Sequence, residues 1–267
     1  MKKTMVIRPR RTWVRIAALG LGVAALQHPL TNAMTARDTP QGVLLSAREH
    51  ECAAERKTLP AGDPKTQAEG MDIARKSINK AIDLAGFAFL EMPLPHNEAA
   101  DLRSFADASH VIVSGVIGNR RCSVTTDDRW VVSAYTFNAD EIFKGSVSVG
   151  QELIVLVLGG TVTFEDGTWA QVVFDRFVRP TAGERYILFL IRSEMALGAA
   201  LAKRVGAAHA FQMTQMGPGA FRLDPKGIAR SAVNTEGRVR TGKNLIQTYD
   251  GQSTERLLSD LRAVLGK

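Results

Sequence analysis

Two cysteines are the residues of this chain whose chemistry is easiest to interpret. Cys52 and Cys122 are the only cysteines among the 267 residues, and a bond between them would tie the N-terminal part of the chain to the first long hairpin. On the chain-entropy argument, closing a loop of about 70 residues stabilises a fold by up to ~4 kcal/mol. Two separate buried thiols are the alternative. The sequence leaves both open, and a structural disulfide is the role that we assign to the pair.

A metal site is the second chemistry to consider. His50, Cys52, His110 and Cys122 are side chains that bind zinc, but they lack the closely spaced pairs that make zinc sites recognisable. The sequence also contains no H-E-x-x-H, G-x-S-x-G, phosphate-binding glycine loop or dinucleotide fingerprint. We therefore expect no metal and no cofactor, and we place the histidines at the surface or in loops.

Three further groups of residues have the types that catalysis uses. Ser77 and Lys80 match the S-x-x-K pattern of penicillin-recognising enzymes, but they fall inside an amphipathic helix and no Lys-Thr-Gly follows. Asp127-Asp128 and Glu165-Asp166 are adjacent carboxylates, whereas glycosidase pairs face each other across ~5 to 10 Å. We read both pairs as turn residues. No catalytic residue is therefore assigned.

Two tryptophans could form a surface that stacks on sugars. Trp130 and Trp169 both lie in segments that alternate as strands do. Aromatic side chains in such strands usually face the core, because each buries a large apolar area. We therefore expect both rings to be core residues, with a sugar-binding platform as the alternative.

Residues 1–33 have the order of a secretory signal peptide. The segment contains six basic residues and no acidic one, an eleven-residue apolar run over Ile16–Leu26 and small residues before Ala33. We expect cleavage after Ala33, which leaves no stable membrane span, because a run of this length covers only about half of a bilayer core. The pair Arg10-Arg11 leaves twin-arginine export and ordinary secretion both open. Either route makes the protein periplasmic or secreted.

The positive charge of the chain belongs to this leader. The full chain carries a formal charge of +7, but without the six basic residues of the leader 28 lysines and arginines face 27 acidic residues, which leaves +1. A nearly neutral protein lacks the positive field that phosphate backbones require, so we expect no nucleic-acid partner. With 45% apolar residues the chain also differs from disordered proteins and can bury a core.

The mature chain divides into four predicted parts. A flexible arm covers 34–64, a helical segment 65–108, a β-barrel-like domain 109–230, and a linker with a C-terminal helix 231–267. The helical segment begins with an amphipathic helix over 66–85, because apolar residues recur there at three-and-four spacing. The barrel-like part holds short apolar runs separated by turn signals. The predicted fold class is thus mainly β with flanking helices, an α+β protein with an antiparallel OB-like barrel core.

Particular strands and turns follow from this pattern. The sequence predicts strands over 111–117, ending in a turn at Gly118-Asn119, over 130–143 with a bulge, and over 153–158. A hairpin across Asp166-Gly167 and further strands over 185–191, 211–213 and 220–223 complete the core. Near the end of the chain, Ser253 is expected to cap a helix that covers the core.

A family resemblance covers residues 105–192. Val111-Ile112-Val113-Ser114-Gly115-Val116, Asp140-Glu141-Ile142-Phe143-Lys144-Gly145 and Gly183-Glu184-Arg185-Tyr186-Ile187-Leu188-Phe189-Leu190 resemble a barrel module of exported bacterial proteins. That module is similar to the OB-like barrel of netrin-like domains and tissue inhibitors of metalloproteinases. The inhibitors chelate zinc with an N-terminal cysteine, whereas cleavage here leaves Met34 or Arg37. The resemblance therefore implies a fold and not an activity.

The function that this sequence favours is an exported, non-enzymatic binding or protein-interaction module. Its expected partner is an envelope protein or a small ligand. Two alternatives stay open: a cell-envelope hydrolase whose site is assembled from separate strands, and a protease-inhibitor-like barrel.

Overall fold

The computed structural model describes residues 50–56, 64–93, 100–195, 198, 200, 202–203, 209–215, 217–234 and 244–267. The predicted leader over 1–33 and most of the predicted arm over 34–64 lie outside these residues, as does most of 195–208. The described part is rich in β-structure and carries helices on its surfaces, so the predicted α+β class is confirmed.

The element bounds are as follows. The helices are α1 (Pro64–Ala74), α2 (Ile78–Ala85), α3 (Leu102–Ala108), α4 (Leu245–Tyr249) and α5 (Thr254–Val264). The strands are β1 (His50–Glu51), β2 (Phe87–Met92), β3 (Val111–Val124), β4 (Val131–Lys144), β5 (Glu152–Leu158), β6 (Gly160–Thr163), β7 (Trp169–Phe174), β8 (Arg185–Arg192), β9 (Ala210–Met213), β10 (Ala220–Leu223) and β11 (Ala229–Ser231).

Five strands close into a ring in the order β3-β4-β5-β9-β8, because β8 pairs back with β3. The pair β5–β9 is parallel, and the other pairs of the ring are antiparallel. We call these five strands the ring. It is loosely barrel-like. The strands β10 and β11 extend the sheet beyond β8.

The two faces of the ring bury different side chains, as the alternation of strands requires. Apolar residues at alternate positions fill the interior: Val111, Val113, Ile117, Tyr135, Phe137, Leu153, Val155, Val157, Tyr186, Leu188, Leu190, Phe211 and Met213. The outward residues of β3, β8 and β10 pack against α3, α4 and α5. The C-terminal helix begins as predicted, because the Ser253 side chain accepts a hydrogen bond from the amide of Arg256.

A second sheet, in the order β2-β7-β6, lies beside the ring and carries α1 and α2. The hairpin β6–β7 forms across Asp166-Gly167 as predicted, with Thr163 opposite Trp169. The parallel partner β2 was not predicted. Its start is set by Gly86, which ends α2 with a φ of 73°, a conformation that glycine adopts readily.

The predicted helix over residues 66–85 is two helices in the structure. The chain leaves the helical conformation at Ser77, whose φ and ψ of −160° and 119° are those of extended backbone. Ser77 therefore caps α2 and separates it from α1. No helix within the described ranges is long and apolar enough to cross a membrane.

The predicted turn at Gly118-Asn119 is wrong, because β3 continues through it to Val124. The register against β4 shifts between Ile117 and Arg120, so the two residues form an irregularity within the strand. A Cβ atom on Gly118 would lie 2.2 Å from the hydroxyl of Thr136. Glycine is thus required there for close approach of β4.

Residues 50–56 join the two sheets, and we call them the strap. Their first residues pair with the end of β3, and Cys52 forms an antiparallel bridge with Val162 of β6. Gln171 of β7 holds the other end, because its amide group contacts both backbone groups of Arg56, at 2.8 and 3.0 Å. These contacts lie within the predicted flexible arm, whose remaining residues before position 64 are outside the described ranges.

Candidate anion-binding site

The two cysteines lie together, as the sequence interpretation expected. The Sγ atoms of Cys52 and Cys122 are 2.05 Å apart, which is the distance of a disulfide bond, and they join the strap to β3. Ser133 lies beneath the pair, with its hydroxyl 3.3 Å from the Cys122 sulfur and donating to the carbonyl of Gly159 at 2.7 Å.

Among the side chains that the structure describes, the predicted zinc-ligand types do not meet as a group. His110 is exposed, and its Nδ1 accepts a hydrogen bond from the amide of Arg192 at 3.1 Å. The cysteines face each other. Within the part of the chain that the structure describes, no three histidine, cysteine or acidic side chains are close enough to share a metal ion.

The S-x-x-K residues form a helix cap. The hydroxyl of Ser77 donates to Asp128 at 2.5 Å and accepts from the backbone amide of Lys80 at 3.1 Å. Asp128 also accepts from the amide of Asn79, at 3.0 Å. These contacts satisfy amides at the start of α2, where they have no partner within the helix.

The adjacent carboxylates of the sequence analysis are turn residues. Asp127 accepts a hydrogen bond from the hydroxyl of Thr125. Asp166 accepts one from the backbone amide and one from the hydroxyl of Thr168. Those two bonds to Thr168 hold the pKa of Asp166 below its ordinary value. Asp127 and Asp166 therefore each stabilise their own turn, whereas Asp128 caps α2.

The two tryptophans each stack on a phenylalanine of the second sheet or its edge. Trp169 is buried and stacks on Phe87 at 5.2 Å, so its ring is a core residue as expected. Trp130 is half-buried and stacks on Phe174 at 6.4 Å, where it packs against the core of the second sheet. Both rings have neighbours within the fold.

A different set of polar side chains gathers at the end of the ring where β3 and β4 extend beyond β8. Arg120 of β3 lies opposite Tyr135 of β4. Arg179 comes from the loop after β7, and Glu55 comes from the strap. We call Arg120, Tyr135, Arg179 and Glu55 the arginine cluster. Four separate segments contribute to it, so no local spacing in the sequence could reveal it.

Arg179 is the centre of this cluster. Its side chain is only 9% exposed, and its Nε forms an ion pair with a carboxylate oxygen of Glu55. Its Nη2 donates to the carbonyl of Val172 at 2.7 Å. Its Nη1 is buried and has no hydrogen-bond partner among the described residues. Burial lowers the pKa of Arg179 from its ordinary value and Glu55 opposes this, so the guanidinium stays charged at neutral pH.

Tyr135 places a second unused donor beside it. The residue is 1% exposed, and no acceptor among the described residues binds its hydroxyl proton. Burial raises the pKa of Tyr135, and the positive charges of Arg120 and Arg179 counter part of that rise. The guanidinium of Arg120 also interacts with the hydroxyl oxygen as a hydrogen-bond donor, which lowers the pKa further, and its Nη2 donates to the carbonyl of Ala53 at 3.3 Å. The hydroxyl is thus protonated and can donate.

The chemistry of the cluster requires an acceptor with negative charge. Two guanidinium groups face one carboxylate, which leaves one positive charge unbalanced in a largely buried place. Arginine carries only donors, and the protonated tyrosine hydroxyl donates as well. Unpaired buried donors and unpaired buried charge both cost free energy, so the cluster favours a small anion. Because Glu55 already binds there, a carboxylate is the anion that the geometry fits best.

A second tyrosine in the same ring shows what a completed cluster looks like. The hydroxyl of Tyr186 donates to Glu184 at 2.9 Å, and Arg222 donates to the other oxygen of Glu184 at 2.9 Å. The amide of Thr181 donates to the tyrosine oxygen. One positive and one negative charge are balanced here. The arginine cluster differs from this group in two ways: it has one more cation than anion, and two of its hydrogen-bond donors, the Tyr135 hydroxyl and Arg179 Nη1, have no acceptor.

Comparison with protein-family models, with curated proteins and with solved structures found no match. The candidate site consequently stands on its own geometry.

Proposed function

We propose that the mature protein is an exported, non-enzymatic binding module that takes up a carboxylate group at the arginine cluster. One observation carries the proposal: the Tyr135 hydroxyl and Arg179 Nη1 are both buried, both able to donate, and both without an acceptor in the described chain. Fully buried polar groups in folded proteins are nearly always paired, and a bound ion is one explanation of an exception.

The size of the site limits the ligand group. Tyr135 is almost inaccessible, and Glu55 already covers one edge of Arg179 while remaining 46% exposed itself. A single carboxylate fits such a place better than a bulky anion. The rest of a ligand or partner would lie outside, beside Glu55.

The order of the ring strands supports the OB-like barrel that the family resemblance implies. Five strands in a closed, largely antiparallel order match that architecture, which binds ligands on the face of its second and third strands. The equivalent outward face here belongs to β4 and β5, and Met195, Gly198 and Ala202 pack on it. Because the chain's own residues cover that face, their packing supports binding at the end of the ring and not on the face of β4 and β5.

Export is the second part of the proposal. The leader at residues 1–33 and the two cysteines at bonding distance support it, because disulfides persist outside the cytoplasm. The hydrolase and protease-inhibitor alternatives rest on the sequence alone, and no contact in the described part of the chain favours them.

The proposal is tested by titrating the oxidised mature protein, residues 34–267, with sodium acetate. Acetate should raise the melting temperature with increasing concentration, because a ligand that binds only the folded state stabilises it. Tyr135→Phe and Arg120→Gln should each abolish or strongly reduce this rise. Arg222→Gln is the matched control and should keep it.

Sodium phosphate and sodium chloride at equal ionic strength separate the anions. A larger effect of phosphate would reassign the ligand class to oxyanions. An acetate effect no greater than that of chloride, or equal in all variants, would refute the proposal.

A further inference from the structure

We infer that the strap is a displaceable internal ligand, latched by the Cys52–Cys122 disulfide, and that an extended acidic segment of a partner protein takes its place when the disulfide is reduced. This inference rests on the proposed function, because it uses the same arginine cluster. It adds the kind of partner and the condition for binding.

The strap is bound as a foreign peptide would be. It pairs with β3 and bridges to β6, and the amide of Ala53 donates to the carbonyl of Thr161 at 3.0 Å. Gln171 contacts the backbone of Arg56 and not its side chain. Backbone contacts of this kind hold any extended segment and are the usual basis of β-strand addition.

Side chains supply the preference for an acidic segment. Glu55 pairs with Arg179, and the guanidinium of Arg56 lies 4.8 Å from the ring centre of Trp169. Arg179 and the ring of Trp169 therefore recognise an acidic residue followed by a cationic one. Arg120 and Arg179 together carry more positive charge than Glu55 neutralises, so a competitor with additional carboxylates gains over the strap.

The disulfide decides whether a competitor can enter. While the bond is intact, the strap cannot leave its site. After reduction its other contacts are reversible, and the backbone that continues from Arg56 to α1 is the tether that remains. A free segment then competes with a strap at an effective concentration of the order of millimolar.

Reduction can begin at only one sulfur. Cys122 is fully buried, whereas Cys52 is partly exposed. The thiolate of a dithiol reductant attacks the Cys52 sulfur, the S–S bond breaks, and Cys122 leaves as a thiolate that takes up a proton. The second thiol of the reductant then attacks the mixed disulfide and releases Cys52. The reductant becomes a cyclic disulfide and two protein thiols form.

The experiment measures binding of a fluorescent peptide with the sequence of residues 50–56, carrying serine in place of Cys52, to the full mature chain. A thiol count under denaturing conditions first confirms that the oxidised protein has no free thiol. We expect at least about tenfold tighter binding to the protein reduced with dithiothreitol than to the oxidised protein, because the competent fraction rises. The same peptide with Glu55→Gln should bind weakly to both.

A second variant keeps the test independent of any effect of reduction on folding. Glu55→Gln in the protein leaves the disulfide intact and removes the carboxylate of the internal ligand. It should bind acetate more tightly than the unmodified oxidised protein. Circular dichroism of the reduced protein checks that the sheets persist.

The outcomes separate this inference from the proposed function. Acetate binding together with equal peptide affinities in the oxidised and reduced proteins would overturn the inference and leave the proposed function in place. Failure of acetate to bind any form would refute both. A reduced protein that unfolds would also overturn the inference, because the strap would then be an indispensable part of the fold.

Discussion

Tyr135 and Tyr186 are the two tyrosines inside the ring, and they make a matched pair for mutation. Tyr186 donates a hydrogen bond to a charged carboxylate, and Tyr135 donates to nothing among the described residues. Removing a satisfied hydroxyl loses its hydrogen bond, whereas removing an unsatisfied one removes a desolvation cost.

We therefore predict opposite effects of the two phenylalanine substitutions on the free energy of unfolding. In anion-poor buffer, Tyr135→Phe should leave stability unchanged or raise it by up to about 1 kcal/mol. Tyr186→Phe should lower it by about 1.5 to 3 kcal/mol, since the bond to Glu184 is charge-assisted. Urea unfolding of both variants measures the difference. A loss for Tyr135→Phe as large as that for Tyr186→Phe would show that its hydroxyl is already paired.

Single residues also show which parts of the candidate site could be predicted from the sequence and which could not. The pairing of the two cysteines was one of two readings that the sequence left open, and it could be considered because the chain has no third cysteine and the predicted leader would take it to an oxidising environment. The arginine cluster could not be predicted, because Arg179 and Arg120 are 59 positions apart by their numbering and each looks like a surface residue.

At the scale of elements, the junction between β5 and β6 connects the ring with the second sheet. Gly159 there has a φ of 89°, and a Cβ atom on it would lie 2.7 Å from the carbonyl oxygen of Val172 and 2.9 Å from Arg179. Gly167 in the β6–β7 turn has a nearly equal φ of 84°, but nothing lies within 4 Å of its Cβ position. The two glycines differ only in their surroundings.

We predict that Gly159→Ala destabilises the protein more than Gly167→Ala does. Both substitutions force alanine into the left-handed region, which costs about 1 to 2 kcal/mol. Gly159→Ala adds a steric clash with backbone, typically a further ~1 to 3 kcal/mol. Thermal unfolding of the two variants gives the comparison. Equal losses of stability in the two variants would contradict the prediction, because they would mean that the β5–β6 junction shifts to accommodate the added methyl group.

The elements explain which parts of the fold the sequence could predict. Ring strands with continuous apolar runs, such as β5 and β8, fall where the pattern placed them, because both of their faces are buried. The missed strand β2 pairs in parallel with β7, beginning with Phe87 opposite Trp169, which lies far along the chain. Gly118 was misread because glycine serves close approach as well as turns. The local sequence pattern identifies strands. It does not identify the long-range contacts that decide whether a glycine lies in a turn or in a strand, or whether a short apolar run pairs with a distant strand.

At the scale of the whole molecule, all three tyrosines of the chain are held protonated by the fold. Burial raises the pKa of Tyr135 and of Tyr186, to which Glu184 adds a hydrogen bond that favours the protonated form. Burial and a bond to Asp260 raise the pKa of Tyr249 to about 12. The three residues lie in different places: the end of the ring, its interior and the covering helix α4. Their ionisation therefore reports on the integrity of the entire structure.

The sign of the resulting pH dependence follows from linkage. A folded-state pKa above the ordinary value of 10.0 means that the unfolded chain releases these protons first. The contribution of the tyrosines to stability is thus fully present below pH 10, and it is lost as the pH rises from there through the folded-state values. We expect native protein to show less tyrosinate absorbance at pH 10 than unfolded protein does, and all three tyrosines to ionise together with the loss of β-sheet circular dichroism at higher pH. Tyr249→Phe should remove one third of the absorbance step and delay the onset of unfolding. A tyrosine that ionises near pH 10 while the circular dichroism is still native would contradict this prediction. Single phenylalanine variants would then identify that tyrosine, and so the part of the molecule that opens independently of the rest.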